Sequence, residues 1–191
     1  LSDFARIGAA AGTAAMVATA LIVSGEADPA SVLVLSVTAA LTSLLNARLG
    51  FIVAGAASAA WLAMIANMAG AALVMGLLTI PAGIFSRGTG RTLAISPLGP
   101  LFGTLGLAPF LPFLAAAADG WRERAMVAGC GLAWTALAEA VTGRSLLFGS
   151  IPEAGNGWED SVGSALSGLL VPTLLTPAFL LSLAVWMAVA V

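Results

Sequence analysis

The chain of 191 residues is 60% hydrophobic and 8% charged, with a formal net charge of -2 and a mean hydropathy of +1.07. Water-soluble domains are about half apolar and about a quarter charged. This chain has too few polar side chains to cover a surface facing water and too many apolar ones for disorder, so the composition points to a lipid bilayer.

A helix needs about 20 apolar residues to cross about 30 Å of hydrocarbon. The apolar runs, separated by the few charges, are of that order. The first, 7–24, lies between Arg6 and the acidic residues Glu26 and Asp28; the second, 31–45, ends at Asn46 and Arg48. Residues 51–85 carry no charge. As one helix they would be about 52 Å long, too long for one crossing. The reading therefore splits them near Asn67 into two shorter helices and a tight hairpin. Asn67 suits a turn through its side-chain chemistry; its other uses are a hydrogen bond across helices or to a solute. The stretch 86–92 carries Arg87 and Arg91 among glycines. With no lysine and no preceding strand it fails as a phosphate-binding loop and reads as a basic cytoplasmic loop facing lipid headgroups.

The run 97–118 contains Pro97, Pro100, Pro109 and Pro112 with Gly99, Gly103 and Gly106. A Pro/Gly-broken membrane segment is expected near 97–112, with neighbours satisfying the freed backbone groups. The next run, 125–142, follows Trp121, Arg122, Glu123 and Arg124. Residues 143–160 form the only sizeable loop and read as solvated. Residues 161–191 are apolar but interrupted by Pro172 and Pro177; a short interfacial helix to about Val171 and a final span are expected. The sequence opens on Leu1, not Met, and stops within an apolar run, as a fragment of a longer protein would.

The expected fold is all-α: one multi-pass domain over 1–191, a polytopic transmembrane helical bundle of about six to seven spans. No run alternates with period two, which argues against a β-barrel. Small residues recur one turn apart at Gly8 to Gly12, at Gly99 and Gly103, and at Ala125, Gly129 and Ala133. Such faces suit close helix–helix contact, within the chain or in a homo-oligomer. Trp121 and Trp158 stand beside charges, as interfacial anchors do; Trp61 and Trp134 lie inside runs and read as packing residues. With seven spans and the start inside, Arg122 and Arg124 fall outside with Glu26 and Asp28. If the proline-rich run is re-entrant, Arg6, Arg48, Arg87, Arg91, Arg122 and Arg124 all fall inside and Arg144 alone outside, which fits the positive-inside rule better. Both arrangements keep the start cytoplasmic, and the side of the 143–160 loop stays open.

Histidine, lysine and tyrosine are absent. That removes Ser-His-Asp sites, His-ligated haem and zinc, Schiff-base chemistry and the P-loop lysine. Cys130 is the only cysteine, so it forms no disulfide within the chain and reads as a small packing residue. No arginine cluster marks a nucleic-acid partner. No catalytic residue, cofactor or metal is expected. Three polar residues are candidates. Glu139 is the one carboxylate within a span, a functional candidate by its cost; it could hold a proton or cation or pair with an arginine, while its place near a helix end makes a water-reached interfacial group the plainer reading. Arg144 is its near neighbour, and Asn67 is the third. Glu153, Glu159 and Asp160 surround a Gly/Pro loop without calcium-loop spacing.

The stretches Ala47-Arg48-Leu49-Gly50-Phe51, Asn67 before a second apolar helix, Ser96-Pro97-Leu98-Gly99-Pro100-Leu101-Phe102 and Leu107-Ala108-Pro109-Phe110-Leu111-Pro112 resemble the multi-span membrane tail of actinobacterial eukaryotic-like serine/threonine protein kinases. The resemblance covers most of the chain and implies an upstream cytoplasmic kinase domain in the same polypeptide. The kinase motifs themselves are not in this sequence, so no catalytic residue carries over. The expected function is a non-catalytic membrane domain that anchors, and regulates, such a kinase. The alternative is a small-solute transporter or channel built on the broken segment and Glu139. A membrane enzyme, limited to Asp, Glu and Arg, ranks third.

Overall fold

The computed structural model describes residues 2–85, 93–118, 120–147, 149 and 151–191. Arg87, Arg91 and Asp119 lie outside the described residues. Every regular element among those described is helical.

Two helical hairpins build the first half. Helix α1 (Ser2–Ser24) turns through Gly25 into α2 (Pro29–Leu45). Asp28 caps α2: its carboxylate accepts from the Ala30 and Ser31 N–H groups at 2.9 and 3.1 Å, ahead of Pro29 at the first helical position. The Ser31 hydroxyl adds a bond at 2.5 Å, and together these hold the Asp28 carboxyl below its ordinary value of 3.8. A single residue, Asn46, ends α2 and starts α3 (Ala47–Met64), its side chain accepting from Leu49 N–H at 3.1 Å. Helix α4 (Ala69–Phe85) follows. Asn67 sits in the hairpin between α3 and α4 with φ +54° and is exposed. Asparagine tolerates that left-handed conformation better than most residues, so the split of 51–85 at Asn67 has a local cause. Thr13 reaches Ser43 across α1 and α2 at 3.2 Å, and Arg48 Nε donates to the Gly83 carbonyl at 3.0 Å. Arg6 and Arg48 therefore share one end of the bundle.

The second half is broken where prolines break it. A 3₁₀ turn (Leu93–Leu98), α5 (Gly99–Thr104), a second 3₁₀ turn (Ala108–Phe110) and α6 (Leu111–Ala115) make a hairpin, reversed at Gly106 with φ +69°. It runs along α7 (Trp121–Thr142) and back. Ser96 Oγ donates to the Val127 carbonyl at 3.3 Å, Gly99 lies against Gly131 and Thr135, and Gly103 meets Leu146; on the return Leu111 packs on Gly131, and the Ala118 carbonyl accepts from Arg124 at 2.9 Å. The segment thus ends where it began, beside the first turns of α7. The last element is α8 (Val162–Ala165), a π-helical turn (Leu166–Leu170), α9 (Val171–Leu174) and, after a 59° bend, α10 (Pro177–Ala190). Its π-helical turn, α9 and α10 pack on α7, while α8 packs on α4.

Among the described residues, α3 and α7 are long and apolar enough to cross a membrane, and the bent α8–α10 pair makes a third where it counts as one span. The sequence reading expected about six to seven spans; α2 and α4 fall short of that test on length. Helices α2 and α4 have 17 residues each, about 25 Å, which is short of about 30 Å of hydrocarbon.

Candidate functional site

The sequence-expected residues are not brought to one place. Asn67 is exposed at the tip of the α3–α4 hairpin, Arg144 is exposed after the end of α7, and Glu139 is 3% exposed in the last turn of α7. The expectation of a water-reached Glu139 is therefore corrected. So is its pairing with Arg144. Its Oε2 accepts from the Leu146 and Leu147 N–H groups at 2.8 and 2.5 Å, and Oε1 from Ile151 N–H at 3.4 Å. The chain can turn back onto the carboxylate because α7 ends at Gly143, in the left-handed conformation (φ +63°), with its N–H on the Glu139 carbonyl at 2.9 Å. Arg144 contributes a backbone N–H to Thr142 Oγ1 at 3.4 Å. A buried carboxylate needs donors, and hydrogen bonds to an ionised group are the strong ones. Here backbone amides of the following loop supply them.

Much of that loop is exposed, as expected, including Arg144, Glu153 and Asp160, but its backbone is also tied to the helices. Ala154 N–H donates to the Ala140 carbonyl at 2.8 Å, and Gly155 N–H to the Gly168 carbonyl at 2.9 Å. The second bond has a clear origin. Residue 172 is proline and lacks the N–H that an α-helix would offer the Gly168 carbonyl; the Gly155 N–H reaches that carbonyl instead. The Glu159 carbonyl accepts from Gly70 N–H at 2.8 Å at the start of α4. Gly70 must be glycine there, since a Cβ would collide with the Trp158 carbonyl oxygen and come within 2.7 Å of that of Ser161. Trp158, expected as an interfacial anchor, is half-buried and packs against the apolar interior. Trp121 does sit at the surface, 62% exposed, with the Arg122 guanidinium 5.2 Å from its ring centroid.

Glu139 and the Pro/Gly-broken hairpin are linked by packing. Leu146, which the carboxylate holds, lies on Gly103 at the hairpin tip, where an added Cβ would be 2.8 Å from Leu146 Cβ. Buried threonines return their protons to their own helices: Thr13 to Ala9, Thr79 to Met75 and Thr135 to Gly131, at 2.7, 2.7 and 2.8 Å. Ser36 Oγ, Trp134 Nε1 and Thr173 Oγ1 are buried without a partner, one each on α2, α7 and α9. Trp61, in the last turn of α3, donates to Ser24 Oγ at the end of α1 at 3.3 Å. No group of three or more metal-ligating side chains occurs among the described residues; Glu153 and Asp160 are exposed.

The loop's role escaped the sequence reading because its contacts use backbone groups, which every residue carries. The one legible trace is the pairing of Pro172, which frees a carbonyl, with the glycines Gly155 and Gly168, which let two backbones meet. Comparison of the chain with family models, curated proteins and solved structures gives no match.

Proposed function

We propose that this chain is a non-catalytic, membrane-embedded helical domain that anchors a cytoplasmic domain. The observation that carries the reading is the state of Glu139: the costly intramembrane carboxylate is spent on backbone amides of its own loop. In this reading α1, α2, α3, α4, α7 and the bent α8–α10 element cross the bilayer, and the 93–118 hairpin re-enters from the side where it started. The shorter helices are accommodated by local thinning of the bilayer, at fractions of a kcal/mol per Å. Arg6, Arg48, Arg122 and Arg124 then belong to the cytoplasmic side, in keeping with the positive-inside rule, and the loop with Arg144 and its acidic residues faces outward. The anchored partner, on the sequence resemblance, is a serine/threonine kinase domain upstream of Leu1 in the same polypeptide.

The rival reading, a small-solute transporter or channel, draws on the tip of the broken hairpin meeting Leu146 beside Glu139. One experiment separates the two. The chain is fused behind a reporter and expressed in bacterial membranes, and reconstituted vesicles are assayed for proton and cation flux with Glu139 intact and as Glu139→Gln. Anchoring predicts a cytoplasmic reporter, resistance to alkaline extraction and no flux that depends on Glu139. Flux abolished by Glu139→Gln favours the rival, and an alkaline-extractable chain removes both. An open reading frame without a kinase domain before Leu1 would remove the kinase from the proposal.

A further inference from the structure

Among the described residues Glu139 is the only buried charged one. The elements packed on α7 are the 93–118 hairpin, α4, the π-helical turn, α9 and α10, and none of them carries a charged residue. The other charges of α7, Arg122, Glu123 and Arg124, belong to its first turn, about 22 Å of helix or more from Glu139. The following loop holds Arg144, Glu153 and Asp160, which are exposed, and Glu159, which is half-buried. Glu153 lies against the Gly143 turn, where an added Cβ would be 3.0 Å from its Oε1, so the charge placed there is a second negative one.

The charge of Glu139 is thus answered by hydrogen bonds alone, and these divide unequally. Oε2 takes the Leu146 and Leu147 amides at 2.8 and 2.5 Å, and Oε1 takes only that of Ile151, at 3.4 Å. A proton therefore goes to Oε1, where the weaker bond is given up. The new O–H faces the Ile151 N–H, donor against donor, and the two bonds at Oε2 fall from charge-assisted to neutral strength, about half. Proton and loop compete for one carboxylate, and such coupling is reciprocal. The rest of the loop hangs on the outcome. Ile151 leads into Ala154 and Gly155, whose amides close Ala140 and Gly168, and Leu146 sits on Gly103 at the hairpin tip. Residues 142–145 are exposed, so the proton comes from water on the loop's own side. We propose that Glu139 is a proton-operated latch: as a carboxylate it closes the 143–160 loop onto α7, and as an acid it releases Ile151 and loosens the loop from the hairpin and α4. The inference rests on the membrane reading for its direction, since that reading turns the loop outward and makes the anchor responsive to acid on the outer side.

The test uses the full chain in bicelles, isotope-labelled for NMR at glutamate carboxyls and backbone amides, with the pH lowered from about 8 to about 4 across the carboxyl range. The Glu139 carboxyl carbon reports its own proton. It is expected to titrate with one midpoint together with the Leu146, Leu147 and Ile151 amides. Exchange of the Ile151 amide, corrected for its intrinsic pH dependence, is expected to rise about tenfold or more. Glu139→Gln, which cannot ionise, is expected to hold the loop in its released state at every pH. A carboxyl carbon that titrates while the three amides stay fixed overturns the latch. So does a carboxyl that stays ionised throughout, and so do amides that respond to pH equally in Glu139→Gln. The first two outcomes are read on the wild-type chain and stand even if Glu139→Gln fails to fold. In sealed vesicles, acrylamide quenching of Trp158 in the same loop, taken as the difference between wild type and Trp158→Phe, gives the side. A rise driven by acid on the side away from Arg6 and Arg48 is expected; a rise driven only by acid on their side supports the latch and overturns the orientation given above.

Discussion

The two halves of this molecule solve the same problem differently. In the first half, α2 and α3 are capped by residues beside them in sequence, Asp28 and Asn46, and the chain turns at Asn67 before α4. From Leu93 onward the helices are interrupted by prolines, and the freed groups are closed from a distance. Gly155 serves the carbonyl left by Pro172, Ala154 the end of α7, and Glu139 the amides of Leu146, Leu147 and Ile151. Local caps close the ends of α2 and α3 without help from the second half, although α1 and α4 still pack against it. Long-range closures make the second half depend on one loop, and that loop also grips the first half at Gly70.

The sharpest way to break this asymmetry is Glu139→Ala. It strips three amides of their acceptor, two of them strongly bound, at an expected cost of about 3 kcal/mol. Denaturant titration in detergent, followed by circular dichroism, measures it; a loss confined to the second half appears as an early phase and as proteolytic cleavage within 143–160. Next comes Gly70→Ala, which pushes a methyl into the Trp158 and Ser161 carbonyls. Backbone atoms cannot swing away as a side-chain tip can, so about 2 kcal/mol is expected, with the loop loosened and the α3–α4 hairpin retained. The smallest effect belongs to Asp28, fully exposed at the start of α2. Its folded carboxyl titrates below 3.8, chiefly through the Ser31 hydroxyl and then its amide. The contribution of the cap is therefore complete above 3.8 and fades as pH falls through the lower folded value. Side-chain carboxyl shifts in an NMR titration measure it, and Ser31→Ala is expected to move the midpoint back toward 3.8.

The same contrast explains what the sequence revealed. Asn67 was legible because an uncharged run too long for one crossing has to turn, and asparagine tolerates the turn's positive φ. The 97–112 break was legible because proline and glycine act on the backbone wherever they stand. Glu139 was legible as costly, but not in its use. The nearest visible partner was Arg144, a charge, whereas the actual partners are amides of a leucine pair and an isoleucine, which carry no side-chain signature. Span count was the least legible quantity, because 17-residue helices and bent pairs lie at the margin of what a bilayer requires.

The most direct measurement is amide hydrogen exchange of the chain in bilayers, resolved to Leu146 and Leu147. The account predicts that both amides exchange slowly, with protection comparable to the last turn of α7, and that Glu139→Gln speeds them by about tenfold or more while α3 is unchanged. Exchange at free-peptide rates in the wild-type chain, or protection that survives Glu139→Gln in full, would contradict it.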